Sequence, residues 1–447
     1  MQKAAKGQLM IWHWVSSYFS LVIVFAAIGY ALLLAVSLIP QHFVQENALI
    51  SAEQFMENYG EPMVGGEDDQ RYYWDSTDIL IMEESYNLKN APAALINPYY
   101  NSSSVDYVEN FSVMLKQGLE GNVPYVRYWQ GFRIIIRPLM IFFTFQDIRK
   151  LYAVVFFILF SCMTAVIAKK QSAGNAIAVA AAVSLFNPAV VSHSLQYAPC
   201  FLLMFSFSIY VVMKDIKPER LGLLFVLFGM ITQYFDFYTT PVITCVVPAL
   251  LLMSKETGNG HLWKTLAVCC LSWVCGYVGS WLMKLLMVSV LTPINGFADG
   301  FASLGGRLSG NDLSKPASII NAIKWAWWLS SPGRLPKIAL AALSAAIITS
   351  SVAAYVRDGK KWSAPLRQTP FLAAACVPLL WIAVSSDPVI IHAHFQYRSM
   401  LPFFAGAFLF ISQCHTKENG SAAAVNAENG EKQKTFVFTK DCCREAK

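Results

Sequence analysis

Charge is scarce in this chain. Only 14% of its 447 residues are Asp, Glu, Lys or Arg, where soluble domains carry roughly 25%. Hydrophobic residues make up 55% and the mean hydropathy is +0.44. That balance excludes an ordinary soluble domain. Cysteine is absent from residues 41–133: the ten cysteines are Cys162, Cys200, Cys245, Cys269, Cys270, Cys275, Cys376, Cys414, Cys442 and Cys443. No CxxC spacing occurs, so there is neither a disulfide framework for that segment nor a zinc-ribbon signature. The apolar runs are continuous and do not alternate, which excludes a membrane β-barrel. A cleavage pattern of small residues is missing after the basic start, so the first apolar run reads as a retained helix. The net charge of +6 does not point to nucleic acid. The basic residues sit in short loops between apolar runs, where positive-inside topology puts them.

What the chain has in abundance is apolar runs long enough to cross a bilayer. The first spans residues 16–39 and stops at Pro40. Later ones cover about 149–168, 173–191, 199–213, 221–234, 238–253, 265–290, 337–356, 370–385 and 399–413. The expected class is an all-α polytopic membrane protein of about ten spans, a single transmembrane domain over 1–413 with both termini cytoplasmic. The stretch 134–145 is apolar but short, with Arg133 and Arg137 one helical turn apart. It reads as a helix lying in the membrane interface, over 134–146. With it in the plane, the clusters Lys169/Lys170, Lys214/Lys217/Arg220, Lys255/Lys264 and Arg357/Lys360/Lys361/Arg367 all fall inside. If it crossed, they would all fall outside. Residues 414–447 are polar and read as a disordered cytoplasmic tail.

One segment breaks the pattern of short loops. Residues 41–133 hold 14 of the 28 acidic residues against 5 Lys or Arg, and they form the expected first extracytoplasmic loop. A second, 291–335, is glycine-rich and ends in Trp325, Trp327 and Trp328, where glycine gives mobility and tryptophan anchors at headgroup level. Within the first loop, Asp75 and Asp78 lie on one turn at the start of a predicted helix, 76–89. They serve either as helix caps or as a general base or metal-binding acid. Glu67-Asp68-Asp69 is a second acidic candidate. Arg127, Arg133 and Arg137 run beside Tyr128 and Trp129, a combination suited to phosphate oxygens and sugar rings or to headgroup anchoring. Asp236 stands at the tip of a tight hairpin, costly for an ionisable group among apolar runs. Lys284 reads as a snorkelling lysine. His392 and His394 with Arg398 occupy the last outer loop. The histidines form a possible pair of metal ligands, and Arg398 sits at the membrane edge where a lipid-linked phosphate would meet it.

Topology thus puts Asp75, Asp78, Arg127, Asp236, His392 and Arg398 on one face. This pattern resembles the GT-C fold glycosyltransferases, multi-pass membrane enzymes whose long first outer loop carries the catalytic Asp and membrane-lying helices, here expected at 104–119 and 130–145. Patches similar to a group of bacterial membrane proteins are Trp74-Asp75-Ser76-Thr77-Asp78-Ile79-Leu80, Arg127 to Gly131 through Arg137-Pro138, and Phe235-Asp236-Phe237. Asp75 lies more than thirty residues beyond Pro40, unlike the acidic pair that follows the first span in many GT-C enzymes. The resemblance implies transfer of a sugar from a polyprenyl-phosphate donor to an envelope glycan or lipid acceptor. Asp75 or Asp78 would be the base, Arg127, Arg137 or Arg398 would bind phosphate, and Trp129, Asp236, His392 and His394 are further site candidates. No cofactor is fixed by the sequence beyond the option of a divalent cation, Mg or Mn, on the acids. Membrane lipids are the expected surroundings. The rival functions are a polysaccharide polymerase or ligase, working through Arg398 and His392, and a transporter or lipid flippase, which calls for mid-span polar residues and repeats.

Overall fold

The computed structural model describes residues 2–57, 75–102, 107–255, 261–309, 315–331, 335–385 and 396–415, with side chains from Trp14 onward except at 75–76, 107–108, 306–309 and 315. Among these, regular structure is helical, and the one β pairing is an isolated bridge between Tyr99 and Val123. The first long helix, α1 (Gln2–Ser37), ends ahead of Pro40. Five shorter helices follow: α2 (Gln41–Glu57), α3 (Asp75–Tyr86), α4 (Ala91–Ile96), α5 (Tyr107–Gln117) and α6 (Arg133–Leu139). The bundle continues with α7 (Phe145–Lys170), α8 (Ala173–Ser184), α9 (Pro188–His193), α10 (Ala198–Met213), α11 (Pro218–Phe235), α12 (Ile243–Met253) and α13 (Leu262–Leu291). It closes with α14 (Gly296–Ser309), α15 (Lys315–Ser330), α16 (Pro336–Arg357), α17 (Ser363–Arg367), α18 (Thr369–Val384), a 3-10 turn (Tyr397–Met400) and α19 (Leu401–His415).

A helix falls on each of the ten apolar runs. Four are long and apolar enough to cross a membrane: Trp14–Ser37 of α1, α7, α13 and α16. Four more, α8, α10, α12 and α18, are apolar but shorter. The chain is therefore an all-α, membrane-embedded protein. Every residue of α12 is buried, and α10, α13 and α19 pack around it. A helix apolar all round belongs at the centre of such a bundle. By contrast, α16 leaves Ile338, Leu340, Ile348, Val352 and Val356 exposed, as a helix facing hydrocarbon does.

Local chemistry explains the breaks. Asn90 caps α4 by accepting the Ala93 N–H at 2.9 Å, and Asn97 ends it with φ 48°. Thr144 opens α7 with a capping box, its N–H and hydroxyl reaching the Asp147 carboxylate at 3.3 and 2.8 Å. The run 173–191 is not one helix: α8 stops at Ser184, and Asn187, at φ 52°, turns the chain into α9.

Three other expectations shift. The 134–145 segment forms only the seven-residue α6, roughly 10 Å long, and then turns, leaving Phe142 and Phe143 exposed. The start of the acidic loop is itself helical. Val44, Ala48, Ser51, Ala52 and Phe55 make a buried stripe on α2 at helical spacing, and α2 packs on α3, α5 and α7. In the glycine-rich loop, Gly296 and Gly300 serve close approach: an added Cβ would press on the Leu285 carbonyl and side chain. Trp327 packs inward, stacked on Phe404 with ring centroids 5.7 Å apart.

The tightest helix crossing is α11 on α13. A Cβ at Gly276 would run into the Val226 carbonyl, and one at Gly229 into the Trp273 carbonyl. Small residues let membrane helices approach backbone to backbone, where packing supplies the association energy. Gly276→Ala is expected to cost about 1–3 kcal/mol, read as a lower melting temperature in detergent. Gly305→Ala, whose new carbon meets nothing within 4 Å, is expected to leave it unchanged.

Candidate functional site

Helix α3 is buried along most of its length, acids included: Asp78, Glu83 and Glu84 are all enclosed. Asp78 faces the turn between α9 and α10. Its carboxylate accepts the Leu195 N–H at 2.8 Å, the Gln196 N–H at 2.9 Å and the Ser194 hydroxyl at 3.4 Å. These bonds lock the turn to α3. This group anchors; its lone pairs are already committed to the protein. Asp75 begins α3, and its side chain lies outside the described residues, as do Glu67, Asp68, Asp69, His392, His394 and the 416–447 tail.

The basic residues of this region are likewise committed. Arg137 donates to the carbonyls of Val36 at 3.2 Å, Ser85 at 2.9 Å, Tyr86 at 2.8 Å and Ile39 at 2.7 Å. It closes the C-terminal ends of α1 and α3 together. Arg133 donates to Ala93 at 3.0 Å, Ala94 at 2.9 Å, Gln130 at 3.1 Å and Trp129 at 3.3 Å. Lys284, from α13, donates to the Leu95 carbonyl at 2.5 Å and stands 5.4 Å from the centre of the Trp129 ring. It is wholly buried and does not snorkel. The last carbonyls of α4 are thus met by two cations, which the negative end of a helix dipole favours. Trp129 donates its indole N–H to the Ser280 carbonyl at 3.0 Å, so it is a packing residue between α6 and α13.

The acid among these cations is Glu84, a residue that sequence reasoning passed over. Its Oε1 accepts the Gln130 amide at 2.7 Å, while Oε2 is buried with no partner among the described residues. Arg133 and Lys284 act on it electrostatically, but burial outweighs them and holds its pKa well above the usual carboxylate range. Beside it, Glu83 accepts the Tyr100 N–H, and burial pushes its pKa up to about 8. The signal was available: a Glu-Glu pair inside a helix whose neighbours Ile79, Ile81 and Met82 are apolar.

Asp236 and Arg398 come together at the same end of the bundle. Asp236 accepts the Thr239 N–H and hydroxyl at 2.9 Å each, the Tyr277 hydroxyl at 2.9 Å and the Cys200 thiol at 3.3 Å. Arg398 is fully buried, its guanidinium carbon over the rings of Tyr197 at 4.5 Å and Tyr397 at 4.7 Å. Tyr197 belongs to the turn that Asp78 holds, through Ser194 Oγ at 3.1 Å. Gln396, two residues before Arg398, donates to the carbonyl of Tyr238, two residues after Asp236, at 2.8 Å. Asp78, Arg398 and Asp236 therefore share one knot of turns. Arg127 stands apart. It donates to Ser303 at 2.7 Å, lies 3.8 Å from the Asp299 carboxylate, and so clamps α14 onto the first loop.

Among the described residues no group of three or more His, Cys, Asp or Glu is placed to hold a metal ion. No family model matches the chain, and no curated protein and no solved structure matches it.

Glu83 gives the site a pH signature. Its pKa in the fold, about 8, lies above its ordinary 4.5, so the folded protein holds a proton that the unfolded chain releases. The stability this confers is complete below about 4.5 and lost as pH rises through about 8. Glu83→Gln keeps the acceptor for the Tyr100 N–H and cannot ionise. Its melting temperature is expected to fall less than the wild type's between pH 5 and 8.5. Parallel curves from the two proteins would contradict this assignment.

Proposed function

We propose that the protein is a multi-pass cell-membrane glycosyltransferase of the GT-C type. In this reading it has about ten spans and cytoplasmic termini, and it moves a sugar from a polyprenyl-phosphate-linked donor to an envelope glycan or lipid acceptor on the extracytoplasmic face. The observation that carries the reading is Arg398, a buried guanidinium over the rings of Tyr197 and Tyr397, where the 194–197 turn held by Asp78 meets the turn that follows Asp236. A planar fork fixed in this way suits the oxygens of a lipid-linked phosphate. Lys169 and Lys170 end α7, and Arg357 ends α16. The α2–α6 segment packs near the opposite, N-terminal end of α7, where Ser51 of α2 accepts the Phe145 N–H at 2.9 Å. Positive residues at the cytoplasmic side and the site at the other fit this topology.

Arg398 holds the donor phosphate. Asp78 positions the 194–197 turn beneath it. Asp75, the first residue of α3, takes the proton from the acceptor hydroxyl, a contribution on the order of 10²- to 10⁴-fold. Arg137 and Arg133, spent on carbonyls, belong to the scaffold. In membranes supplied with a polyprenyl-phosphate sugar, Asp75→Asn and Arg398→Gln are each expected to cut transfer at least a hundredfold while the protein still accumulates. Unchanged envelope glycan in both variants would overturn the reading. A polysaccharide polymerase or ligase is the second reading, favoured because Tyr197 and Tyr397, the rings that meet Arg398, both lie outside the first loop. Loss of product in Arg398→Gln with full product in Asp75→Asn would select it.

A further inference from the structure

Buried polar atoms without partners are rare, and each asks for an explanation. Three of them belong to residues linked to Tyr238 by a hydrogen bond, a ring contact or sequence. Gln396 gives its amide N–H to the Tyr238 carbonyl at 2.8 Å, and its Oε1 is buried with no partner among the described residues. The Tyr238 ring lies 5.2 Å from the Trp381 ring, whose indole N–H is likewise unmatched. Thr240, two residues along the same turn, has an unmatched hydroxyl. Gln396 and Thr240 are almost wholly buried. Tyr238 itself has φ 59°, a conformation that costs energy for a residue bearing a Cβ and that clusters at ligand sites. Its hydroxyl meets Ser385 at 2.8 Å. Tyr277 closes the aromatic wall, 6.5 Å from Trp381, and ties it to Asp236.

The chemistry of this set is specific. It offers one pure donor, one pure acceptor and one hydroxyl that does both, all uncharged. The rings of Tyr238, Trp381 and Tyr277 stand beside it. An ion would find no opposite charge among the unmatched groups. A pyranose presents alternating donors and acceptors at its rim and an apolar C–H face to stack on an aromatic ring. Arg398, two residues beyond Gln396, supplies the positive charge on one side only.

We propose that Trp381, Thr240 and Gln396, around Tyr238, form the binding subsite for an uncharged sugar ring, with any attached phosphate directed to Arg398. The subsite rests on the transfer reading for its place in a reaction, but its occupancy does not. A sugar carrying a carboxylate or a free amine is excluded by the absence of a matching charge among its three unmatched groups.

The experiment uses the full chain in lipid nanodiscs and ligand-observed NMR, with phosphate-free methyl glycosides as probes. The neutral glucoside, galactoside and N-acetylglucosaminide are compared with the anionic glucuronide and the cationic glucosaminide. At least one neutral probe is expected to bind saturably, with both charged probes at least tenfold weaker. Trp381→Phe keeps the ring, and Thr240→Val keeps the shape. Each is expected to weaken the neutral probe about tenfold, the loss of one buried hydrogen bond. Thr240→Val is not expected to lower the melting temperature of the unliganded protein, because the deleted hydroxyl has no partner among the described residues to lose. Absence of saturable binding, equal binding of charged probes, unaltered affinity in both variants, or a lower melting temperature in Thr240→Val would each overturn the subsite. Sugar binding lost in the variants, in a protein that transfers nothing, would retain the subsite and reject the transferase. Transfer with an unchanged KM in both variants would do the reverse.

Discussion

Three buried cations bonded to backbone carbonyls hold this protein's first segment to its bundle. A helix leaves its last carbonyls without intrahelical partners, and in a membrane-embedded protein water cannot always supply them. Here α1, α3 and α4 end near one another in the interior. Arg137 takes carbonyls from the ends of α1 and α3, while Arg133 and Lys284 take those of α4. A neutral donor would satisfy one or two of these groups. A guanidinium satisfies several at once, and its charge complements three converging helix dipoles.

That solution places everything beyond it. With Arg133 bonded back to Gln130 and Trp129, the chain between α5 and α6 is forced through Gln130 at φ 54° and into Gly131, whose N–H meets the Tyr234 carbonyl at 2.7 Å. A side chain on Gly131 would strike the Tyr234 ring, so first segment and bundle touch there backbone to backbone. Helix α3, fixed at its C-terminal end by Arg137, then presents Asp78 to the 194–196 turn. Tyr197 beneath Arg398 follows from that turn. The geometry at Arg398 is thus set some distance away, by carbonyls that no substrate reaches.

Much of the architecture was legible in the sequence, and the failures share a cause. Apolar runs located the bundle helices, and the helix expected over 76–89 appears as α3 (Asp75–Tyr86), because hydropathy and helix-start signals are local properties. The stripe on α2 was equally local but was masked by the acidic residues around it. Roles decided by distant partners were not legible. Arg137 beside Arg133 looks like a phosphate clamp until the carbonyls of Val36, Ile39, Ser85 and Tyr86 are seen to occupy it. Lys284 looks like a snorkelling residue until Leu95, far away in sequence, is found against it. Glu83 and Glu84 drew no notice because their environment is built from segments far apart in the chain. Topology grouped Asp75, Asp78, Arg127, Asp236, His392 and Arg398 on one face, but the hydrogen bonds that occupy Asp78 and Asp236 were not legible, nor was the separate place of Arg127 against α14.

The account stands or falls on whether the buried guanidinium at 137 organises the segment before it. Amide hydrogen exchange of Arg137→Lys against the wild type, in the same nanodiscs, tests this directly. An ammonium keeps the charge but cannot span four carbonyls on two helices. The account requires faster exchange at 36–42 and throughout α3, spreading to the 194–197 turn, while α12 stays protected. Exchange in α3 and the turn as slow as in the wild type would contradict it.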